Sequence, residues 1–309
     1  MFNTNGFHPE GSLIDTSENK YFLRNQQNLT EAFLQGRILE GRASVCTAAH
    51  DLILDLGCMK GIIPRSEGAI GITEGSVRDI ALISRVNKPV CFRILSFEKD
   101  ASGASVAILS RRVVQEECLL NYINTLTPGD VIPARVTHME QFGCFVDIGC
   151  GIISLIPIDL ISISRIAHPS DRFYVGQSIF AVIKSVEQGR ITLSHKELLG
   201  TWAENAGEFS VGETVGGIIR SVENYGVFIE LTPNLAGLAE LRSSIKIGQH
   251  TGVYIKSIIP EKMKIKLIIV DCFDADYPPT PPCYRITAGH MDHWLYSPSC
   301  CPKIVETVF

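Results

Sequence analysis

The sequence has no surplus of positive charge: 28 Lys and Arg face 33 Asp and Glu, a net charge of −5 over 309 residues. This excludes a nucleic-acid binder that works through an overall positive field. Any such contact has to rest on local charge and on stacking. No apolar stretch approaches the ~20 residues that span a bilayer, which excludes a membrane helix, and no membrane partner is expected. Met1 to Glu10 holds no basic segment followed by an apolar run, so a secretory leader is not expected. The ten cysteines mostly stand singly inside apolar segments, as Cys91, Cys144 and Cys272 do. They read as small hydrophobes in a reducing compartment, and a cytoplasmic protein is expected.

Catalytic signatures are missing too. There is no GxxxxGK[ST] loop, no HExxH and no CxxC pair. No Ser-x-x-Lys or Gly-x-Ser-x-Gly element sits on a strand-turn-helix. Carboxylates are scattered and recur with the repeat described below, which suggests surface rather than a paired acid and base. No enzyme, cofactor or small-molecule substrate is therefore expected. His290, His293, Cys300 and Cys301 are ligand types that suit zinc, but adjacent cysteines project apart and rarely close a tetrahedral site. No metal is expected there; Trp294 and Tyr296 beside the histidines suit packing of the tail on a neighbouring domain.

What the sequence does hold is repetition. The stretches Val131 to Gly149 and Val215 to Leu231 agree well when laid beneath one another. Each has an alternating strand and a short turn, then aromatic-Gly-x-Phe-apolar-acid: Phe142, Gly143, Phe145, Asp147 in one and Tyr225, Gly226, Phe228, Glu230 in the other. Further on, Gly176-Gln177 matches Gly248-Gln249, and each unit closes on a short strand, Arg190 to Ser194 and Lys264 to Ile268. A weaker upstream copy aligns Asp55 with Asp147. The unit of roughly 70 to 85 residues suits a small barrel rather than a solenoid.

Side chains alternate along a strand. Cys144, Val146 and Ile148, like Val227, Ile229 and Leu231, should face the interior. That leaves Phe145 outside beside Asp147, and Phe228 beside Glu230. On the closing strands Arg190 and Thr192, like Lys264 and Lys266, fall outside. Phe142 and Tyr225 fall on inward parity, but the following Gly can break the register and leave them at the rim. Two readings of the outward rings stand: cover by a linker or neighbouring unit, or a platform on which unpaired bases stack.

These residues resemble the S1 RNA-binding domain, the repeating module of bacterial ribosomal protein S1. From about 37 to 271 the chain is similar to short three-repeat S1-like proteins of bacteria. The resemblance implies a mainly β fold, three tandem five-stranded OB-fold (S1-type) barrels joined by short helices. It implies binding of single-stranded RNA, mRNA included, and association with the small (30S) ribosomal subunit. The family's RNA positions fall on Phe142, Phe145 and Arg190 in the second unit and on Tyr225, Phe228 and Lys264 in the third. A histidine common in the family is replaced by Pro157 and Glu240. In the first unit the matching positions are His50, Ile53 and Val106, which carry no such platform. The second barrel is thus expected to make most of the RNA contact, with the third a weaker copy. Two alternatives are a protein-docking scaffold using the same faces, and an accessory acting in trans with an RNA-processing enzyme.

The boundaries expected are a polar N-terminal segment and short helix (1–36), barrel 1 (37–112), a helical linker (113–126), barrel 2 (127–196), a second helical linker (197–210), barrel 3 (211–274), and a Pro-rich linker with a C-terminal tail (275–309). The N-terminus is expected to be loose to about residue 25, with a helix from Asn28 to Arg37 capped by Thr30. The linkers are expected as helices over Arg111 to Ile123 and His195 to Gly207. The tail is expected as an appendage.

Overall fold

A computed structural model describes residues 6–187 and 189–309. Period-two alternation sets the strands, and their inward rows close three barrels. The first is formed by β1 (Leu39–Cys46), β2 (Leu52–Asp55), β3 (Lys60–Ile63), β4 (Pro89–Lys99) and β5 (Ser105–Ser110). The second is formed by β6 (Val131–Glu140), β7 (Gly143–Gly149), β8 (Ile152–Pro157), β9 (Ser178–Glu187) and β10 (Arg190–Ser194). The third is formed by β11 (Thr214–Glu223), β12 (Gly226–Thr232), β13 (Leu235–Ala239), β14 (His250–Ile259) and β15 (Lys264–Phe273). In all three the spatial order is first, second, third, fifth, fourth, with the fourth strand returning to the first. That is the five-stranded OB barrel expected from the sequence. The expected inward residues Cys144, Val146, Ile148, Val227, Ile229, Leu193, Ile265 and Leu267 are buried. No helix among the described residues is long and apolar enough to cross a membrane.

The chain divides into two compact units. One holds the described residues through Leu126 together with Asp147–Ile153. Here the expectation of a loose N-terminus fails for residues 6–25. Helix α1 (Ser17–Leu23) is capped by Thr16, whose hydroxyl accepts from the Asn19 amide, and Phe7 and Phe22 are buried. Glu10 is buried as well. Its carboxylate accepts from Arg111 Nε at 2.6 Å and from Arg85 Nη1 at 3.1 Å. Burial pushes the Glu10 carboxyl up, but the two guanidinium groups outweigh it and hold the group below its ordinary value. A polar sequence therefore became an ordered strap, because its few apolar and charged residues found buried partners. The next helix, α2, runs Gln26–Leu34 and is capped by Asn25. Thr30 lies inside it and donates to the Gln26 carbonyl, so the expected start was late. A short helix α3 (Ile80–Ile83) sits between β3 and β4, and α4 (Arg112–Asn121) follows the barrel as the linker helix.

The second unit comprises Thr127–Val146 and Ser154–Phe309. The expected helix over His195 to Gly207 is broken. A 3-10 turn, Lys196–Leu199, ends at Gly200 (φ +86), and Thr201 starts α5 (Trp202–Ala206) with a capping box to Glu204. The tail is not an appendage. Its strands β16 (His293–Leu295) and β17 (Glu306–Val308) pair with each other, and Trp294 and Tyr296 join the core of the third barrel. Tyr284 meets His195 (Nε2 to Oη 3.0 Å), and Thr307 donates to Glu197 at 2.8 Å. His290 lies 2.8 Å from Asp130, and His293 lies 2.8 Å from Glu306. Among the described residues no cluster of His, Cys, Asp or Glu has the geometry to hold a metal ion.

Two stability predictions follow from the buried carboxyl groups. Glu40 accepts three amide hydrogen bonds, from Gly11, Leu13 and Ile14, yet burial pushes it up to about 7. The folded chain therefore holds this proton more tightly than the unfolded one. The resulting stabilisation is complete below the ordinary carboxylate value and is lost as pH rises through about 7. Between about pH 5 and about pH 7.5 this one group should lower stability by up to about 1.4 kcal/mol per unit, read as the difference between the urea-unfolding profiles of the wild type and Glu40→Gln. Asp147, also raised to about 7, contributes with the same sign. Separately, Glu230 is paired with Arg172 and with Arg220 Nε (2.8 Å). Glu230→Gln should cost about 3 kcal/mol in the same assay, because the buried Arg172 guanidinium loses its paired carboxylate and Arg220 is left with Asp171 alone.

Candidate nucleic-acid interface

Each aromatic-Gly-x-Phe motif opens a second strand, and the glycine is there for close approach. A Cβ on Gly143 would stand 2.6 Å from the Ile156 carbonyl oxygen, and one on Gly226 would stand 2.7 Å from that of Ala239. The backbone thus turns tightly beneath the preceding ring and leaves it at the barrel rim. Phe142 is 57% exposed and Tyr225 is 66% exposed. Both second rings are half-buried on the outer face. Phe142 meets Phe145 edge-to-face with centroids 5.9 Å apart, and Tyr225 meets Phe228 likewise at 6.0 Å. The same two-ring geometry therefore stands on both barrels.

The acid of the motif does something else. Period-two parity placed Asp147 and Glu230 on the solvated face beside the rings, and both are in fact buried. Asp147 accepts from the amides of Glu10 (2.7 Å), Gly149 (2.8 Å) and Gly151 (3.0 Å). Glu230 is enclosed by Arg172 and Arg220, with Asp171 3.5 Å from Arg220. Outward parity puts a side chain outside its own barrel, but neighbouring segments then cover it.

Around the second barrel's rings, His138 on β6 stacks on Phe145 (centroids 6.1 Å, planes 22° apart) and pairs with Glu140 at 2.6 Å. Nothing in the repeat pattern had singled out His138; its signal was outward parity on the strand beside β7. Arg190 is exposed at the start of β10, and no described contact joins it to the rings. In the third barrel a cross-strand row runs Phe228, Leu238, Lys266, Ser257 over β12, β13, β15 and β14. Lys266, rather than Lys264, thus lies in register with Phe228. Tyr225, Lys264 and Lys266 line one groove of about 470 Å³, together with Arg242, Lys256 and Glu240. Arg242 and Lys256 escaped the sequence reading because neither sits in the motif or on the closing strand. In the first barrel, His50 is in a turn (φ +65) 3.7 Å from Asp79, and Val106 is buried.

Residues 125–196 match the family described as the S1 RNA binding domain. The small ribosomal subunit protein bS1 of Staphylococcus saprophyticus is 33% identical over 176 residues, 56% of this chain and 43% of that protein. Its counterpart in Staphylococcus aureus (strain COL) is 31% identical over 160 residues, 50% of this chain and 38% of that protein. The chain thus spans less than half the length of these curated relatives. A solved multidomain protein with nucleic acid binding domains from Streptococcus pneumoniae is similar over 76% of this chain and 74% of that one, at 13% identity and a TM-score of 0.26. The resemblance to the S1 module is borne out on the second barrel, where the motif is most complete.

Gly143→Ala and Gly226→Ala should each destabilise the protein by about 1–3 kcal/mol in urea unfolding, because the new methyl meets backbone and not a movable side-chain end. An unchanged midpoint would mean that the close approach does not shape the rim.

Proposed function

We propose that this chain binds single-stranded RNA, mRNA included, through the second and third barrels, and acts in translation in association with the small ribosomal subunit. The observation that carries this reading is the paired-ring platform repeated on two barrels. A core has no use for an exposed aromatic beside a second ring on an outer face, whereas an unpaired base stacks on it for about 1–3 kcal/mol. The S1 match over residues 125–196 and the names of the bS1 relatives support the same reading. The residues proposed for contact are Phe142, Phe145 and Arg190 on the second barrel and Tyr225, Phe228 and Lys264 on the third. The chain acts without catalysis and in the cytoplasm. The first barrel, with His50, Ile53 and Val106 at the matching positions, does not contact RNA and serves as a docking or stiffening module.

Fluorescence anisotropy with a pyrimidine-rich single-stranded oligonucleotide tests this. Binding should weaken as salt rises. Phe145→Ala combined with Phe228→Ala should cost about 1–3 kcal/mol per lost stack. Unchanged affinity in that double variant would remove the stacking platform. Co-sedimentation with small subunits checks the setting, and the oligonucleotide should remain intact on incubation with the protein.

A further inference from the structure

The second and third barrels carry different charge at two of four corresponding positions around the platform, Lys266 against Thr192 and Arg242 against Asp159. Pairing fixes the correspondence. Lys266 stands opposite Leu238 and Ser257, as Thr192 stands opposite Leu155 and Ser185. Lys256 then corresponds to Lys184, Lys264 to Arg190, and Arg242 to Asp159. The third barrel thus holds four cations where the second holds Arg190, a neutral threonine, an acid and Lys184. Lys184 is already engaged: its Nζ donates to the Val308 carbonyl at 3.1 Å and lies 5.3 Å from the centroid of Phe309.

All four cations of the third barrel line one groove with Tyr225, and Glu240 is its one acidic wall residue. Among the described residues none of the four has a carboxylate within ion-pair distance. Arg242 is held against β15, its Nη1 donating to the Val270 carbonyl at 3.1 Å. Four like charges converging in one concavity, in a chain of net charge −5, repel one another unless an anion neutralises them. A ring at the groove's edge adds a stacking surface to that anion site.

We infer that this groove is the principal phosphate-tracking site for single-stranded RNA, with Arg242 and Lys256 as backbone contacts, and that the second barrel contributes mainly stacking. This rests on the RNA reading above and reverses the ranking of barrels expected from the motif, which counted Glu240 as a loss and did not see what surrounds it. In the sheet, β15 with Lys264 and Lys266 lies between β14, which carries Lys256, and β13, which leads into Arg242, and all four line the groove with Tyr225.

The test is the salt dependence of binding to fluorescein-labelled oligouridine by the full chain. Each lost phosphate contact on a single strand lowers the slope of log affinity against log salt by about 0.7. Arg242→Ala with Lys256→Ala should lower it by about 1.4 and weaken binding about tenfold at low salt. Because Arg242 also satisfies backbone carbonyls, Lys256→Ala with Lys266→Ala is the companion variant and should give the same drop. Phe145→Ala with Phe228→Ala should weaken binding with the slope unchanged, and Arg190→Ala should change the slope by no more than about 0.7. If wild type binds and both lysine- and arginine-deleted variants keep its slope, or if Arg190→Ala costs more than either, the groove is not the principal site and the RNA reading survives. If wild type does not bind, both fall.

Discussion

The buried carboxylate at the acid position of the repeat is the constraint on which the second unit depends. A carboxylate taken out of water is tolerable only when fully paired, and Glu230 meets that condition with two guanidinium groups. Arg220 comes from the strand beside it, but Arg172 comes from the long connection between β8 and β9 of the preceding barrel. The same connection sends the Ser164 amide to the Pro233 carbonyl and the Ile163 amide to the side chain of Asn234. Asn234 in turn donates to the carbonyls of Lys196 and Gly200 in the linker. The acid thus anchors the loop through Arg172, and Asn234 ties that loop and the linker to the turn after β12.

Asp147 fills the same slot in the first unit with different chemistry. It takes amides rather than guanidinium groups, including that of Glu10, whose own carboxylate is held by Arg111 and Arg85. The slot is therefore a docking point for an upstream segment in both cases. Asp55, the first-barrel counterpart, is exposed and only closes its own turn through the Gly57 amide. The position keeps its acid for two reasons: local turn closure when nothing docks, and a satisfied buried charge when something does.

This explains what could and could not be read from the sequence. The strands and their inward rows follow from period-two patterning, which depends only on which residues prefer water, while the five-stranded barrel is what the resemblance to the S1 module implied. Parity alone put Phe142 and Tyr225 inward; the following glycine allowed a break to the rim, and the close backbone approach at Gly143 and Gly226 accounts for it. Burial of Asp147 and Glu230 was not legible, because alternation gives the face of a strand and not what lies over that face. The ordered N-terminal strap escaped for the same reason: Glu10 is stable only with Arg85 and Arg111, residues 75 and 101 positions away. Arg242 and Lys256 needed the barrel closed before a residue after the third strand and one on the fourth shared a groove.

The connection between the third and fourth strands decides which platform keeps open charge. In the second barrel that connection is long, spans residues 158–177, and carries Arg172 away to Glu230. In the third it is only residues 240–249, and Arg242 within it and Lys256 and Lys266 beside it are exposed. The shortness of this connection thus leaves the groove exposed. Overall charge is a poor guide to such a site. At physiological salt fields are screened over about 8 Å, so a distant acid hardly touches a phosphate in the groove, while four cations at contact distance act on it almost unscreened.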